Sequence, residues 1–416
     1  MYPVVERRIG MALIVQKYGG TSVGDLERIA NVAKKIVARK ELGNDMVIVV
    51  SAMAGETDRL INLARKIACA PPDRELDVLI STGEQVTIAL LAMTLQAMGH
   101  TARSYCGWQI PLVTDSTYGA ARISRVDKDA ITKDLQAGRI VIVAGFQGVD
   151  EEGHITTLGR GGSDTSAVAV AAGLHADMCE IYTDVDGVYT TDPHITSKAR
   201  KLRKVAYEEM LEMASLGAKV LMIRAVEFAM RYHVPLVVRS SFNDCEGTLV
   251  TEESSDMEKE SVKAVTCNTK EAKITISGVP DRPGIASKIF SALADAHVVV
   301  DMIIQNSSAE GITDISFTIP EVDMEKVLQI CVSFKESLGA KNVSGTTDIA
   351  KVSIVGLGMR SHSGVAAKMF NALANEGINI EMIATSEIKI SCVTKKKYAE
   401  LAVITLHDTF ELEKVT

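Results

Sequence analysis

Val15-Gln16-Lys17-Tyr18-Gly19-Gly20-Thr21-Ser22-Val23-Gly24 decides how the chain is read. Apolar Leu13, Ile14 and Val15 lead into it as a buried strand. From Asp25 an amphipathic helix follows, with Leu26, Ile29, Ala30, Ala33, Ile36 and Val37 on one face. A lysine thus closes a strand, two glycines turn the chain, and hydroxyl residues open a helix. Small residues let backbone N–H groups approach an anion, the helix N-terminus adds positive potential, and Lys17 adds a full charge. The stretch is a phosphate cradle by this logic. It is not a Walker A loop, which needs Lys-Ser/Thr after its last glycine. Here the lysine precedes the glycines and Asp25 follows Gly24.

Outward from this stretch, strand-like and helix-like patterns alternate to about residue 250. Met46 to Val50 and Ile140 to Ala144 are continuous apolar runs, read as buried strands. Leu60, Leu63, Ala64 and Ile67 mark a helix stopped by Pro71-Pro72, and a strongly apolar helix runs from Ser81-Thr82-Gly83-Glu84 to about Met98. Glu151 to His154 reads as a hairpin tip, Ile181-Tyr182 as a strand end, and Leu236 to Arg239 as a strand after helices near 206–215 and 218–232. Such alternation implies an α/β domain with a mostly parallel sheet, in which ligands bind at the strand carboxyl ends. Lys17, Ser51, Arg160 and Asp184 each follow or close a predicted strand, so one cleft can hold all four.

Composition narrows the function. The chain has 416 residues and a net charge of −8, and aromatic residues are 4% of it. An acidic chain with few stacking side chains is not a nucleic-acid binder. Seven cysteines scatter without a Cys-x-x-Cys pair, which predicts reduced thiols in a cytoplasmic protein and neither a disulfide framework nor a zinc site. No run reaches the roughly 18 apolar residues of a membrane span. Met1 to Gly10 carries Glu6, Arg7 and Arg8, so it reads as an extension, not a signal peptide, with Met11 as an alternative start.

Gly159-Arg160-Gly161-Gly162-Ser163-Asp164 opens a small-residue helix, Ala167 to Ala172. A helix start with an arginine suits a carboxylate or phosphate, because the planar guanidinium can bind it bidentately. Asp164 can orient a metal or an ammonium group, although Ser163 and Asp164 also suit a plain helix cap. Glu84 sits at another helix start, where a lone acid complements the helix dipole. Asp184-Val185-Asp186-Gly187 resembles the front of a calcium loop but lacks its third acid and distal Glu. No metal site is expected, and the dispersed histidines His100, His154, His175, His194 and His233 offer no nucleophilic triad.

Beyond the polar stretch Glu252 to Glu260, read as a linker, the chain repeats itself. Gly284 to Ala294 (GIASKIFSALA) matches Gly364 to Ala374 (GVAAKMFNALA), and Asp301-Met302-Ile303 matches Glu381-Met382-Ile383 at the same offset of 80 residues. Each copy reads strand, Gly-containing turn, helix, strand, strand, helix. Lys341 to Ser344 supplies a fourth strand to the first copy, and the second has none after its last helix. Val262 to Cys267 is a spare strand, expected to complete the second sheet, so that the first copy is inserted within the second.

Taken together, Lys17-Tyr18-Gly19-Gly20-Thr21-Ser22, Ser81-Thr82-Gly83-Glu84, Gly159 to Asp164 and Thr183-Asp184-Val185-Asp186-Gly187-Val188-Tyr189 resemble the aspartokinases of the amino-acid kinase superfamily, and the tandem repeat resembles paired ACT domains. The resemblance covers nearly the whole chain. It implies an α/β/α sandwich with a mostly parallel sheet over 11–250, a linker over 251–260 and a strand over 261–270 lent to the second ACT domain. Two βαββαβ (ferredoxin-like) ACT domains then follow over 271–346 and 347–416. It further implies transfer of the ATP γ-phosphoryl group to the side-chain carboxylate of L-aspartate with Mg²⁺. Lys17, Tyr18, Gly19 and Gly20 would hold phosphates and Asp164 orient the reacting groups. Thr183, Asp184, Tyr189, Asp192 and Lys219 would bind nucleotide. Ser51, Glu84, Arg160, Gly161, Gly162 and Ser163 would bind aspartate. Lysine or threonine, or both, would bind the repeats: Asp281, Ala286, Asp301 and Gln305 in the first, Asn379, Ile380 and Glu387 in the second. The second copy has Ser361-His362-Ser363 where the first has Asp281-Arg282-Pro283, so the two would bind differently. ACT pairing implies a homo-oligomer, a dimer or a dimer of dimers. The chain ends at Thr416 without a dinucleotide-binding domain, which argues against a bifunctional kinase–dehydrogenase. A glutamate or uridylate kinase and a catalytically silent amino-acid sensor are the rival readings.

Overall fold

The computed structural model describes residues 12–110, 112–216, 220–254, 260–307 and 311–414. Its chain packs as two units. One holds the described parts of Met1–Val188, Lys201–Ala214 and Lys219–Ser254, and the other those of Tyr189–Arg200, Ser215–Ala218 and Ser255–Thr416.

The first unit opens with β1 (Leu13–Tyr18), α1 (Leu26–Glu41) and β2 (Asp45–Val50), followed by three helices, α2 (Glu56–Ile67), α3 (Asp73–Ile80) and α4 (Thr82–Ala97). Next come β3 (Ala102–Tyr105), β4 (Leu112–Thr114), β5 (Ile123–Val126), α5 (Asp129–Gln136), β6 (Ile140–Ala144), β7 (Gln147–Val149) and β8 (Ile155–Thr157). The unit closes with α6 (Gly162–Leu174), β9 (Met178–Thr183), β10 (Lys204–Ala206), α7 (Tyr207–Ser215), α8 (Ile223–Tyr232), β11 (Leu236–Ser240) and β12 (Thr248–Thr251). Eight strands form one sheet in the order β10-β12-β11-β9-β1-β2-β6-β3, parallel throughout except for β11 against β12. Met46–Val50 of β2 and all of β6 are apolar without alternation, as suits strands buried on both faces. On one face Ile29, Val32 and Ile36 of α1 and Ile88, Leu91 and Leu95 of α4 pack on Ile14, Met46, Ile48 and Ile142. Successive strand side chains alternate, so Lys17 points to the other face, where α6 lies.

Three features depart from the sequence reading. A helix, α3, precedes α4, separated from it only by Ser81; Asp73–Ala97 is long and apolar enough to cross a membrane, but Ile88, Leu91 and Leu95 sit in the core. A separate four-stranded sheet, β5-β4-β7-β8, stands beside the main one. Leu26, Leu63 and Ile67, expected on buried faces, are 67%, 42% and 91% exposed.

A buried acid shows how a polar pair lives inside the sheet. Glu180 of β9 is fully buried, with Arg39 at 2.6 Å, Arg239 at 3.1 Å and the Gln16 amide donating at 2.7 Å. Buried charge is tolerated only when paired and hydrogen-bonded in this way. Above it Tyr18 and Tyr182 stack at 4.6 Å.

In the second unit, β13 (Ala264–Asn268) is followed by β14 (Glu271–Pro280), α9 (Ile285–Asp295), β15 (Ile303–Ser307), β16 (Ile312–Pro320), α10 (Met324–Leu338) and β17 (Asn342–Thr346). Then come β18 (Ile349–Val355), α11 (Val365–Asn375), β19 (Met382–Thr385), β20 (Lys389–Lys395) and α12 (Ala399–Thr409). The two antiparallel sheets run β15-β16-β14-β17 and β13-β18-β20-β19. The spare strand β13 therefore pairs with β18 of the second copy, Ala264 opposite Val355. Each sheet packs its helices on one face, through Ile274, Ile289, Phe317 and Val327 in the first copy and Val352, Met369, Leu373 and Val403 in the second.

Candidate active site

Parallel register brings the ends of β1, β2 and β9 level, Tyr18 opposite both Val50 and Tyr182. Lys17 is 9% exposed, and its Nζ lies 2.6 Å from Oδ1 of Asp164 in the first turn of α6. Gly19 N–H donates to Tyr182 O at 3.3 Å, and the Ser22 and Ser241 hydroxyls meet at 2.5 Å, tying the glycine turn to the ends of β9 and β11. Gly20 is needed for space: a Cβ there would stand 2.9 Å from Ala52 O.

The turn abuts the loop after β2. Ser51 N–H donates to Tyr18 O at 3.1 Å, and Ala52 N–H donates to Oε1 of Glu84 at 3.0 Å. Glu84 is 2% exposed, and its Oε2 is buried with no partner among the described residues. Burial pushes its carboxyl up to about 7, against the opposing pull of the backbone N–H bonds at its own and the Ala52 amide.

Arg160 is exposed and forms no ion pair with a described residue. Gly161 beside it has φ 71° and caps α6; a Cβ there would lie 2.0 Å from Met222 Cγ. Two residues that the sequence reading passed over hold this loop. Arg224 donates to Leu158 O at 2.7 Å and to Ala121 O at 2.8 Å. Asp77 accepts from Thr157 N–H at 2.8 Å, the Thr157 hydroxyl at 2.7 Å and Gly119 N–H at 2.9 Å. The sequence carried no signal for either, because each is one of several charged residues on its helix, DRELDVLI and IRAVEFAMRY. Asp77→Ala strands these donors and is expected to cost about 3 kcal/mol. The denaturant midpoint at unchanged m-value checks it.

Thr183 closes β9 and Asp184 follows it at the strand's carboxyl end, with the Thr183 hydroxyl donating to Asp184 at 3.0 Å. Gly162 and Ser163 are buried in the first turn of α6. Tyr189 and Asp192 fall instead in the 189–200 segment that belongs to the second unit, and Lys219 lies outside the described residues.

The residues expected to bind effector are also located. Asp281 is exposed, its N–H donating to Gly311 O at 2.8 Å, and Gln305 is exposed on β15. Ala286 is half-buried in the first turn of α9. Asp301 already has a cation: the buried Lys351 ammonium contacts it and also lies 2.5 Å from Glu271 Oε1. The related pair, Lys273 with Glu381, runs the other way between the copies. Asn379 is exposed, Ile380 half-buried, and Glu387 lies 3.4 Å from Arg360.

Residues 12–240 match the model of the amino acid kinase family, and residues 274–333 and 352–410 match an ACT domain model. The chain is 58% identical over 404 residues to an aspartate kinase of Stutzerimonas stutzeri, covering 97% of this chain and 98% of that one. It is likewise 58% identical over 405 residues to an aspartokinase of Pseudomonas aeruginosa, with the same coverage. Among solved structures, Escherichia coli aspartokinase III in complex with aspartate and ADP is similar at a TM-score of 0.80 and 26% identity, over 95% of this chain and 99% of that one. The same enzyme in complex with lysine and aspartate has a TM-score of 0.77 at 26% identity, over 96% and 99%. A kinase-family match over more than half of the chain, two ACT repeats after it and relatives at 58% identity over almost their whole length agree, and the chain belongs to the aspartate kinases of the amino acid kinase family.

Proposed function

We propose that the chain transfers the γ-phosphoryl group of ATP to the side-chain carboxylate of L-aspartate. The product is 4-phospho-L-aspartate, the first intermediate toward lysine, threonine and methionine. The observation that carries the substrate assignment is Glu84. A buried carboxylate with one oxygen unpartnered calls for a cation, because an uncompensated buried charge is costly. The α-ammonium of an amino acid supplies it, and exposed Arg160 takes a carboxylate. Aspartate and ADP bound to the Escherichia coli relative support the same pair of substrates.

Phosphoryl transfer needs positioning and charge neutralisation more than covalent chemistry. The aspartate side chain is already an anion, so no general base is required. Lys17 neutralises charge on the transferred group, the Gly19-Gly20 turn and Tyr18 accommodate the phosphates, and Asp164 holds the Lys17 ammonium in place at 2.6 Å. Thr183, Asp184, Tyr189, Asp192 and Lys219 are assigned to the nucleotide, and Ser51, Gly161, Gly162 and Ser163 to aspartate. Among the described residues no three acidic, His or Cys side chains cluster as a resident metal cage. Asp164, paired with Lys17, is the carboxylate that would help to hold Mg²⁺ on the phosphates. When bound, the ion neutralises charge on the β- and γ-phosphates. A coupled ADP-release assay across aspartate, glutamate and uridylate tests the assignment: release with aspartate alone supports it, and release with either other substrate overturns it.

The pH dependence has a definite sign. Glu84 must be ionised to take an ammonium, and its carboxyl sits at about 7. kcat/KM for aspartate is therefore expected to fall as pH drops below about 7, roughly tenfold per unit at the limit. Glu84→Gln should remove that inflection and weaken aspartate at every pH.

The repeats supply regulation by lysine, threonine or both, through a homo-oligomer built on paired ACT domains. The lysine-bound Escherichia coli structure supports an effector of this class. Asp301 is the first copy's acid for the effector ammonium, and Lys351 is its partner meanwhile. A ligand there changes activity only through different affinity for two states. Asp301→Ala is expected to reduce feedback inhibition while sparing uninhibited kcat. Lysine and threonine titrations, singly and together, check this, and flat wild-type curves in every combination would refute regulation by these effectors.

A further inference from the structure

Residues 189–200 carry two of the nucleotide-binding assignments, Tyr189 and Asp192, yet they are built into the second unit. Thr190 is the anchor. It is fully buried, and each of its polar groups is engaged. Its N–H donates to Arg200 O at 2.9 Å, its carbonyl accepts from Val265 N–H of β13 at 2.8 Å, and its hydroxyl accepts from Arg200 N–H at 2.9 Å. The same hydroxyl lies 2.9 Å from Nε2 of His407 on α12. Ile195 packs into the apolar cluster of the second repeat, and Lys198 pairs with Asp408 at 2.8 Å, one residue beyond His407.

The contact ties the ring to the segment in either tautomer: the Thr190 hydroxyl donates to a bare Nε2, or its second lone pair accepts from Nε2–H. Nδ1 is buried with no partner among the described residues. Burial lowers the His407 pKa and keeps the ring neutral, Asp408 and Glu413 pulling the other way and Lys198 and Arg200 with it. An unpartnered buried polar nitrogen is costly, and the other nitrogen of the same ring ends on the segment.

We propose that His407, acting through Thr190, positions residues 189–200, the segment that carries Tyr189 and Asp192. This rests on the assignment of Tyr189 and Asp192 to the nucleotide. His407 itself touches no substrate and is a positioning residue. Val188 and Lys201, which bracket the segment, are held in the first unit, Val188 N–H on the Thr248 hydroxyl at 2.8 Å and Lys201 on Asp186 at 3.1 Å.

The test is steady-state kinetics on the full chain, varying ATP at saturating aspartate and the reverse. His407→Leu and Thr190→Val each remove the bond. Both are expected to raise KM for ATP about fivefold, the scale of one lost hydrogen bond, with kcat and KM for aspartate within about twofold of wild type. The double variant should be no worse than the single ones, because both remove one interaction. His407→Gln and Thr190→Ser, which keep a hydrogen-bonding partner, should restore the wild-type value. If His407→Leu does not fold, Thr190→Val against Thr190→Ser carries the same comparison. Tyr189→Ala with Asp192→Asn separates the two ideas. Should that pair raise KM for ATP while His407→Leu and Thr190→Val do not, the positioning role is overturned and the nucleotide assignment stands. Should that pair leave KM for ATP unchanged, the assignment fails and the proposal with it. An equal rise in both KM values would show a general loss of structure and overturn the proposal.

Discussion

Lys17→Ala is expected to lower kcat by about 10²-fold or more, the scale for losing a positioned electrostatic group. The lysine is 9% exposed and locked by Asp164 at 2.6 Å, so its charge is placed before substrate arrives and is weakly screened. An interaction made chiefly with charge that develops during transfer appears in kcat, with less effect on either KM. Asp164→Ala should produce a loss of similar size, because the ammonium then has no fixed position. Because the two side chains act as one pair, the double variant should fall well short of the product of the single losses. Single-turnover measurement of the chemical step checks both. A Lys17→Ala enzyme with near-normal kcat would remove Lys17 from the transfer step.

Arg160→Ala is expected to raise KM for aspartate by about 10- to 100-fold, the range for a lost charge-assisted hydrogen bond. KM for ATP should stay close to wild type. Arg160 is exposed and has no ion-pair partner among the described residues, so truncation strands no buried group. Its loop is held independently by Arg224 and Asp77, and unfolding is not an alternative explanation of a selective loss. Arg160→Lys should recover little, since an ammonium cannot reproduce the planar two-point contact. Equal damage to ATP and aspartate binding would move Arg160 to the nucleotide.

The strand, glycine turn and helix around Lys17 were legible in the sequence because each is a local pattern. An apolar run, a pair of small residues and a 3.6-residue periodicity report on neighbouring backbone without reference to the rest of the chain. The repeat was legible for a related reason: two copies of one βαββαβ unit bury equivalent faces, so Ile289 and Met369 must both be apolar. Helix α3 was missed because its eight residues end at Ser81 and α4 begins at Thr82, leaving no turn signal between them. Leu26, Leu63 and Ile67 read as core from periodicity alone, and periodicity does not say where the neighbouring layer stops.

Partnerships across the fold were decided only by the tertiary structure. By sequence Glu84 was a lone acid at a helix start; its burial against Ala52, with one oxygen left unpartnered, came only from the fold. Asp301 read as an acid awaiting an effector, but the ammonium of Lys351 from the other copy already faces it. Tyr189 and Asp192 read as part of the catalytic domain, yet Thr190 between them is hydrogen-bonded to β13 and His407. Sequence motifs specify which groups are present and the local backbone that carries them. The environment of a charge, and the element to which a segment is anchored, depend on side chains brought together from distant parts of the chain, and no local pattern encodes that.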